Sequence, residues 1–346
     1  MISHANERPL FKVGIYSVSH FIVDFACAFL MFRYIAGTPD AWLCVLLYNF
    51  FAFAVQMPMG LIADKINRNC LFAAIGLILV AAAYGFPGAY IAAAAFLGLG
   101  NGMFHIGGGL DVLNISDEKS SYLGVFVSPG AIGVYLGTML GNGEGPYDAI
   151  LVTALAAAAA IILIMQKAQG SFRSQNAELS LKGTGTGGVL IAAACLFLVV
   201  CLRSYVGLSL AFPWKGVGVW GVILICAVVL GKTLGGFASD RFGAERTAVF
   251  SLGIAALLFL FSGTPLFGIA AVLLFNMTMP ITLRAMANLF RGAKGFSFGL
   301  LTFGLFLGFL PVFSGVSLPP ETYWIFTAGA VLSLVLLMTG LKRARP

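Results

Sequence analysis

His20 and Asp24 stand four residues apart in an apolar stretch, so on a helix they share one face. A charge at the middle of a bilayer costs about 2.5 to 3.5 kcal/mol, and an ionisable group there is expected to serve a function. A carboxyl group in such a place can take up and release a proton, and a histidine one turn away can share it. His105 lies beside Gly107, Gly108 and Gly109, whose small size permits close helix approach or local unwinding. Asp24 with His20 or His105 is therefore expected to carry a proton. Arg203 and Lys232 also lie inside apolar stretches. Two cations facing a shared cavity would attract an anion, and the arginine fork can hold a carboxylate or phosphonate through two bonds. Gln56 and His105 are the remaining expected solute contacts. The alternative role for Arg203 is an ion pair with Asp24.

Other chemistries find little support. The three histidines of the chain and its acids form no ligand spacing recognisable as a metal site. Gly183-x-Gly185-x-Gly187 lacks the lysine of a phosphate loop and a preceding strand, so no nucleotide cofactor is expected. The six cysteines (Cys27, Cys44, Cys70, Cys195, Cys201, Cys226) contain no Cys-x-x-Cys pair and read as small apolar residues. An intramembrane enzyme using Asp24, His20 and His105, or a receptor or scaffold, would be the readings from other classes.

The elements that must position these groups follow from hydropathy. The chain has 346 residues, 60% hydrophobic and 10% charged, with mean hydropathy +0.98. A soluble domain has about 25% charged residues, so this chain lacks enough polar surface to face water. Breaks at charges, prolines and glycine clusters give spans at 11–35, 41–62, 70–86, 89–112, 121–142, 147–166, 188–211, 217–238, 247–263, 266–289, 295–316 and 321–340. The expected fold class is an all-α integral membrane protein with twelve transmembrane helices in two pseudo-symmetric six-helix bundles. The bundles are residues 1–166 and 188–346, joined by a polar, flexible linker at 167–187.

A repeated charged loop marks the two halves. Gly60-Leu-Ile-Ala-Asp64-Lys65-Ile-Asn67-Arg68 has a second version at Gly236-Phe-Ala-Ser-Asp240-Arg241-Phe-Gly243-Ala-Glu-Arg246. Asp64 and Asp240 near helix ends suit positive helix N-termini. With Lys65, Arg68, Arg241 and Arg246 they form the expected gating set. Asp111 is expected to pair with Lys65 or Arg68 as a latch.

Orientation follows from the basic residues. With the N-terminus inside, Arg8, Lys12, Lys65, Arg68, Lys119, Lys167, Arg173, Lys182, Arg241, Arg246, Arg291, Lys294, Lys342, Arg343 and Arg345 face the cytoplasm, 15 of the 20 Lys and Arg. Outer loops hold Asp40, Glu144, Asp148 and Glu321. The net charge of +7 is thus a topology signal, and no nucleic-acid partner is expected. The expected location is the inner or plasma membrane, multi-pass, with both termini cytoplasmic and no cleaved leader.

The repeat, the six-plus-six spans and the loop after the second span of each half resemble the major facilitator superfamily, whose motif A the loops match. Lys65 stands where that motif has Arg and Asn67 where it has Gly, whereas Asp240, Arg241 and Gly243 follow it more closely. His20-x-x-x-Asp24, Gln56-x-Pro58-x-Gly60, Phe104-His105-x-Gly107-Gly108 and Arg203-Ser204 look like the fosmidomycin-resistance-type branch. Gly124-x-x-x-Ser128-Pro129-Gly130-Ala131-x-Gly133 is similar to the antiporter motif C, with Ser128 at a usual Gly. The resemblance implies a monomeric secondary transporter working by alternating access, partnered by protons, a small solute and the lipid bilayer. Efflux of an organic, anionic solute by proton antiport is the expectation. Uptake by symport, or efflux of neutral or cationic drugs, is the alternative.

Overall fold

The computed structural model describes residues 9–116, 119–168, 176, 186–316 and 322–344. Expectations placed on Arg8, Arg173, Lys182, Glu321, Arg345 and most of the 167–187 linker lie outside them. The described residues form helices joined by short turns, with no strand among them. Ten helices are long and apolar enough to cross a membrane: α1 (Pro9–Ile35), α2 (Ala41–Ile66), α4 (Tyr90–Ile115), α5 (Ser120–Gly141), α6 (Asp148–Ala168), α7 (Gly187–Ser209), α8 (Trp220–Phe242), α10 (Pro265–Leu289), α11 (Lys294–Phe313) and α12 (Tyr323–Arg343). Two helices are shorter, α3 (Asn69–Ala83) with 15 residues and α9 (Ala244–Phe259) with 16. They correspond to the spans expected at 70–86 and 247–263. Asn67 in the left-handed conformation (φ 56°) turns the chain before α3, and Gly243 (φ 89°) does so before α9.

Apolar residues lie on both sides of most helices. Phe11, Trp42, Ile164, Leu190 and Leu266 point outward, as a chain dissolved in hydrocarbon requires. Inside, small residues set the spacing. A Cβ added at Gly76 would meet the backbone of Gly100 and Phe104, and one at Gly107 would meet Ala73 and Asn69. Helices α3 and α4 therefore pack backbone to backbone, as small residues permit in lipid. Likewise Gly133, Gly137 and Gly141 bring α5 onto the backbone of α1 at Phe21, Phe25 and Phe29.

Contacts between the first six helices and the last six concentrate in two pairs, α2 with α11 and α5 with α8. A Cβ at Gly60 would strike the backbone of Gly295, and one at Gly299 the backbone of Gln56. Gly124 meets the backbone of Lys232, and Gly236 that of Ser120. At the end of the α2–α11 pair remote from the charged loop, Trp42 stacks on Phe313 with ring centroids 5.0 Å apart.

Two prolines shape the site. Pro58 has no N–H to give Ala54 O, and the helix yields just before it with a π-helical turn at Phe50–Ala54. Pro129 likewise leaves Val125 O without its helical donor, and α5 breaks at Ser128. Ser17 Oγ reaches Val125 O at 3.2 Å, while Ala131 N–H donates to Ser128 O at 3.3 Å in a tightened turn. The neighbouring carbonyls of Phe126 and Val127 are thereby turned toward side chains.

Candidate functional site

Helices α1 and α4 bring three ionisable groups to one point. His20 Nε2 is 3.1 Å from Asp24 Oδ2, and His105 Nε2 is 3.8 Å from Asp24 Oδ1. The two Nε2 atoms are 2.9 Å apart, with ring centroids 4.4 Å apart and the rings nearly perpendicular. His20 is buried, and the His105 and Asp24 side chains are 12% and 13% exposed. The cluster is thus nearly dry but not sealed.

Backbone and amide groups hold it in place. His20 Nδ1 lies 2.8 Å from Phe126 O, one of the carbonyls beside the Pro129 break. His105 Nδ1 lies 2.8 Å from Asn101 O. A carbonyl only accepts, so each Nδ1 is a donor. Asn101 Nδ2 donates to Asp24 Oδ1 at 2.9 Å. The sequence reading missed Asn101. Its signal was available: it is the residue four before His105, in a stretch read only as glycine packing. Gly130 presses against the cluster, and a Cβ there would overlap His20 Nε2 and Asp24 Oδ2. The sequence shows no metal spacing, yet the fold brings the ligand atoms of His20, Asp24 and His105 within 4.8 Å of one another. Eighty-five residues separate the two histidines, so no local spacing reveals the set.

The expected cations approach from the other half. Lys232 Nζ donates to Val127 O at 3.3 Å, and it lies within electrostatic range of Asp24 and Arg203. Arg203 is 9% exposed, and its Nη1 is buried without a hydrogen-bond partner. No ion pair between Arg203 and Asp24 occurs among the described residues. The charge pair weighed as the alternative for Arg203 is therefore not formed in this conformation. Gln56 is fully buried. Its Nε2 donates to Ala52 O and its Oε1 has no partner, so it presents no surface to a solute in this conformation.

The charged loops act at a distance from this cluster. Asp64 accepts from the backbone N–H groups of Gly295 at 2.8 Å and Phe296 at 2.9 Å, in the first turn of α11. Asp240 accepts from Ser120 N–H at 2.7 Å and Ser121 N–H at 3.0 Å, in the first turn of α5. Each half thus places a carboxylate on a positive helix start of the other. Lys65, Arg68, Arg241 and Arg246 are exposed and form no ion pair among the described residues. Asp111 has partners that the sequence did not point to. It accepts from Tyr16 Oη at 2.5 Å and Asn69 Nδ2 at 3.0 Å, within the N-terminal half. The linker is likewise not free along its whole length. Asn176 accepts from Asn69 Nδ2 at 2.9 Å and Asn114 Nδ2 at 2.6 Å, and its N–H donates to Asn67 Oδ1 at 3.2 Å.

Asp64→Asn removes one charge and one of two amide bonds, a loss of roughly 1 to 2 kcal/mol on the scale of helix caps. The expected result is a five- to thirtyfold shift toward the form with α2 and α11 separated at this end, read as faster thiol labelling of a cysteine placed at Phe296. Unchanged labelling would count against a structural clasp here.

Cavities of about 230 Å³ and 420 Å³ open near Arg284 and Asn288. Their linings, which include Arg291 and Lys294 in the first and Asp240 in the second, touch none of His20, Asp24 and His105. The converging ionisable groups therefore mark the candidate site better than the larger hollows do.

Comparison with solved structures settles the fold. A transporter of the major facilitator superfamily, FucP in the outward conformation, superposes with TM-score 0.69 at 14% identity, covering 98% of this chain and 100% of its own. The fold is that of major facilitator transporters. A single-residue variant of the E. coli fucose:proton symporter FucP matches at TM-score 0.66 and 15% identity, with 98% and 100% coverage. The human organic anion transporter MFSD10 (TETRAN) matches at TM-score 0.70 and 14% identity, with 96% and 100% coverage. No family model matches the sequence, and no curated protein matches it. The major facilitator likeness therefore rests on shape, and the multi-pass membrane character on the apolar helices and that shape together.

Proposed function

We propose that this chain is a secondary active transporter moving a small organic anion by alternating access, coupled to protons as an antiporter in the direction of efflux. The observation that carries the reading is the His20–Asp24–His105 cluster with Lys232 of the other half in electrostatic range of both Asp24 and Arg203, whose buried Nη1 has no hydrogen-bond partner. A carrier needs a site that exchanges a proton and a site that holds a solute within electrostatic reach of it. Asp24, with His20 or His105, supplies the first. Arg203 and Lys232 supply the second, and a carboxylate or phosphonate would satisfy the bare guanidinium N–H groups. The fosmidomycin-resistance-type branch is the reading of the finer motifs.

In this proposal twelve helices cross the inner or plasma membrane, both termini are cytoplasmic, and the protein works as a monomer. Residues 1–166 and 188–346 rock as two bundles joined by 167–187. Asp64 and Asp240, with Lys65, Arg68, Arg241 and Arg246, form the gate that closes the cytoplasmic side. Asp111 belongs to the same end, held by Tyr16 and Asn69. Uptake by proton symport is the second reading. It is favoured by Ser128, which departs from the antiporter pattern, and by the shared fold of a fucose:proton symporter.

Purified protein is screened by thermal shift across organic anions, sugars and cationic drugs at two pH values, and hits are tested for counterflow in proteoliposomes. Arg203→Ala is expected to weaken binding of an anionic hit by roughly ten- to a hundredfold, the worth of a charge-assisted pair of hydrogen bonds. An anion bound and carried at full strength by Arg203→Ala would sink the anionic reading. Efflux and uptake are separated by the sign of the pH gradient that drives accumulation.

A further inference from the structure

We infer that His20, Asp24 and His105 form a binding site for a divalent transition-metal cation of the Zn²⁺ and Co²⁺ kind. The inference goes beyond the transport reading and does not need it. Its basis is a problem of lone pairs. Both Nδ1 atoms face backbone carbonyls at 2.8 Å, so both carry hydrogen. In a neutral imidazole the other nitrogen is then a bare acceptor. The two Nε2 acceptors nevertheless stand 2.9 Å apart, and His20 Nε2 also stands 3.1 Å from a carboxylate oxygen. With both imidazoles neutral and Asp24 ionised, three acceptors converge with no donor between them. A single N–H on His20 cannot point squarely along both contacts. One divalent cation serves all three lone pairs at once.

The geometry fits such an ion. With metal–nitrogen and metal–oxygen bonds near 2.0 to 2.2 Å, ligand atoms of a tetrahedral site lie about 3.3 to 3.5 Å apart. The two Nε2 atoms are 2.9 Å apart, and Asp24 meets them with different oxygens, Oδ2 at 3.1 Å from His20 and Oδ1 at 3.8 Å from His105. One ligand atom from each residue lies within 4.8 Å of the others, so closing on an ion asks for a small shift of the carboxylate. The outer groups fit as well. Metal-bound histidines donate their second N–H to a carbonyl or carboxylate, and bound carboxylates are themselves hydrogen-bonded. Phe126 O, Asn101 O and Asn101 Nδ2 fill those places. Two imidazoles and one carboxylate suit Zn²⁺, Co²⁺, Ni²⁺ or Fe²⁺. Ca²⁺ and Mg²⁺ prefer all-oxygen shells of six or more ligands. Three protein ligands leave a fourth position for water or solute.

The test uses full-length protein purified in detergent without a polyhistidine tag and titrated with Co²⁺, then Zn²⁺. The expected result is one Co²⁺ per chain with visible ligand-field absorption that Zn²⁺ displaces. His20→Ala and His105→Ala should each weaken binding at least tenfold. Asn101→Ala, which keeps all three ligands, should weaken it by roughly ten- to a hundredfold. Cys226→Ser, removing the exposed thiol, should leave the spectrum unchanged. Wild-type protein that binds no Co²⁺, or an equally tight His20→Ala/His105→Ala double variant, overturns the inference. Should the histidine variants fold poorly, the Asn101→Ala titration and a Zn²⁺-induced rise in wild-type thermal stability decide it, and neither effect appearing overturns it. Solute counterflow is measured in parallel. Counterflow without metal binding sinks the metal site alone, and metal binding without counterflow sinks the carrier alone.

Discussion

Asp24→Asn is expected to separate exchange from driven transport. Asparagine keeps the shape of the side chain and an acceptor for the Asn101 amide, which donates to Oδ1 at 2.9 Å in the native protein. It removes the charge that sits 3.1 Å from His20 Nε2. Hydrogen bonds to charged groups are worth about 1.5 to 3 kcal/mol, so proton affinity at this point should change by roughly ten- to a hundredfold. Solute counterflow, which needs no net proton movement, should persist. Accumulation driven by an imposed pH gradient should fall by a similar factor, to near background. Both are measured on one proteoliposome preparation. If Asp24→Asn accumulates solute as fast as wild type under the gradient, the coupling assignment is wrong.

Gly60→Val is expected to hold α2 and α11 apart at the charged-loop end. The atoms a side chain would meet are backbone atoms of Gly295 and Phe296, so no rotamer change can clear them. Overpacking costs about 1 to 3 kcal/mol, and separation also breaks the two amide bonds that Asp64 receives. Together these should shift the balance between closed and open forms by roughly a hundredfold or more. Spin labels at Ile66 and Arg291, both exposed positions, should report a longer distance by electron–electron resonance. Gly207→Val, at a glycine with open space around it, should leave that distance unaltered. A closed-form distance in Gly60→Val would show that the crossing is not a moving contact.

How far the sequence reaches depends on which groups do the work. His20 and Asp24 were legible because one helix sets their spacing. The helices were legible because lipid demands long apolar runs, although α3 and α9 end earlier than hydropathy alone suggests. His105 could be named beside Asp24, but its contact with His20 could not, since only the α1–α4 packing brings the imidazoles together. Asn101 was hidden among glycines whose evident role is close approach. The anchor of His20 is a carbonyl exposed beside a proline break, and backbone atoms have no letter in a sequence. Asp111 could be named but not all its partners. Its place at a helix end next to basic residues suggested charge pairing, and only the packing of α1 on α4 shows that the Tyr16 hydroxyl, one turn before His20, donates to its carboxylate.

The reciprocal carboxylates have an evolutionary consequence. Asp64 and Asp240 grip amide hydrogens, and any residue except proline can supply those. The grip itself therefore does not read the side chains at 120, 121 and 296, whereas it depends on the two acids; at Ser120 and Ser121 it is burial that restricts the side chain. Proline, ordinarily welcome in the opening turn of a helix, is the substitution that such starts would have to refuse.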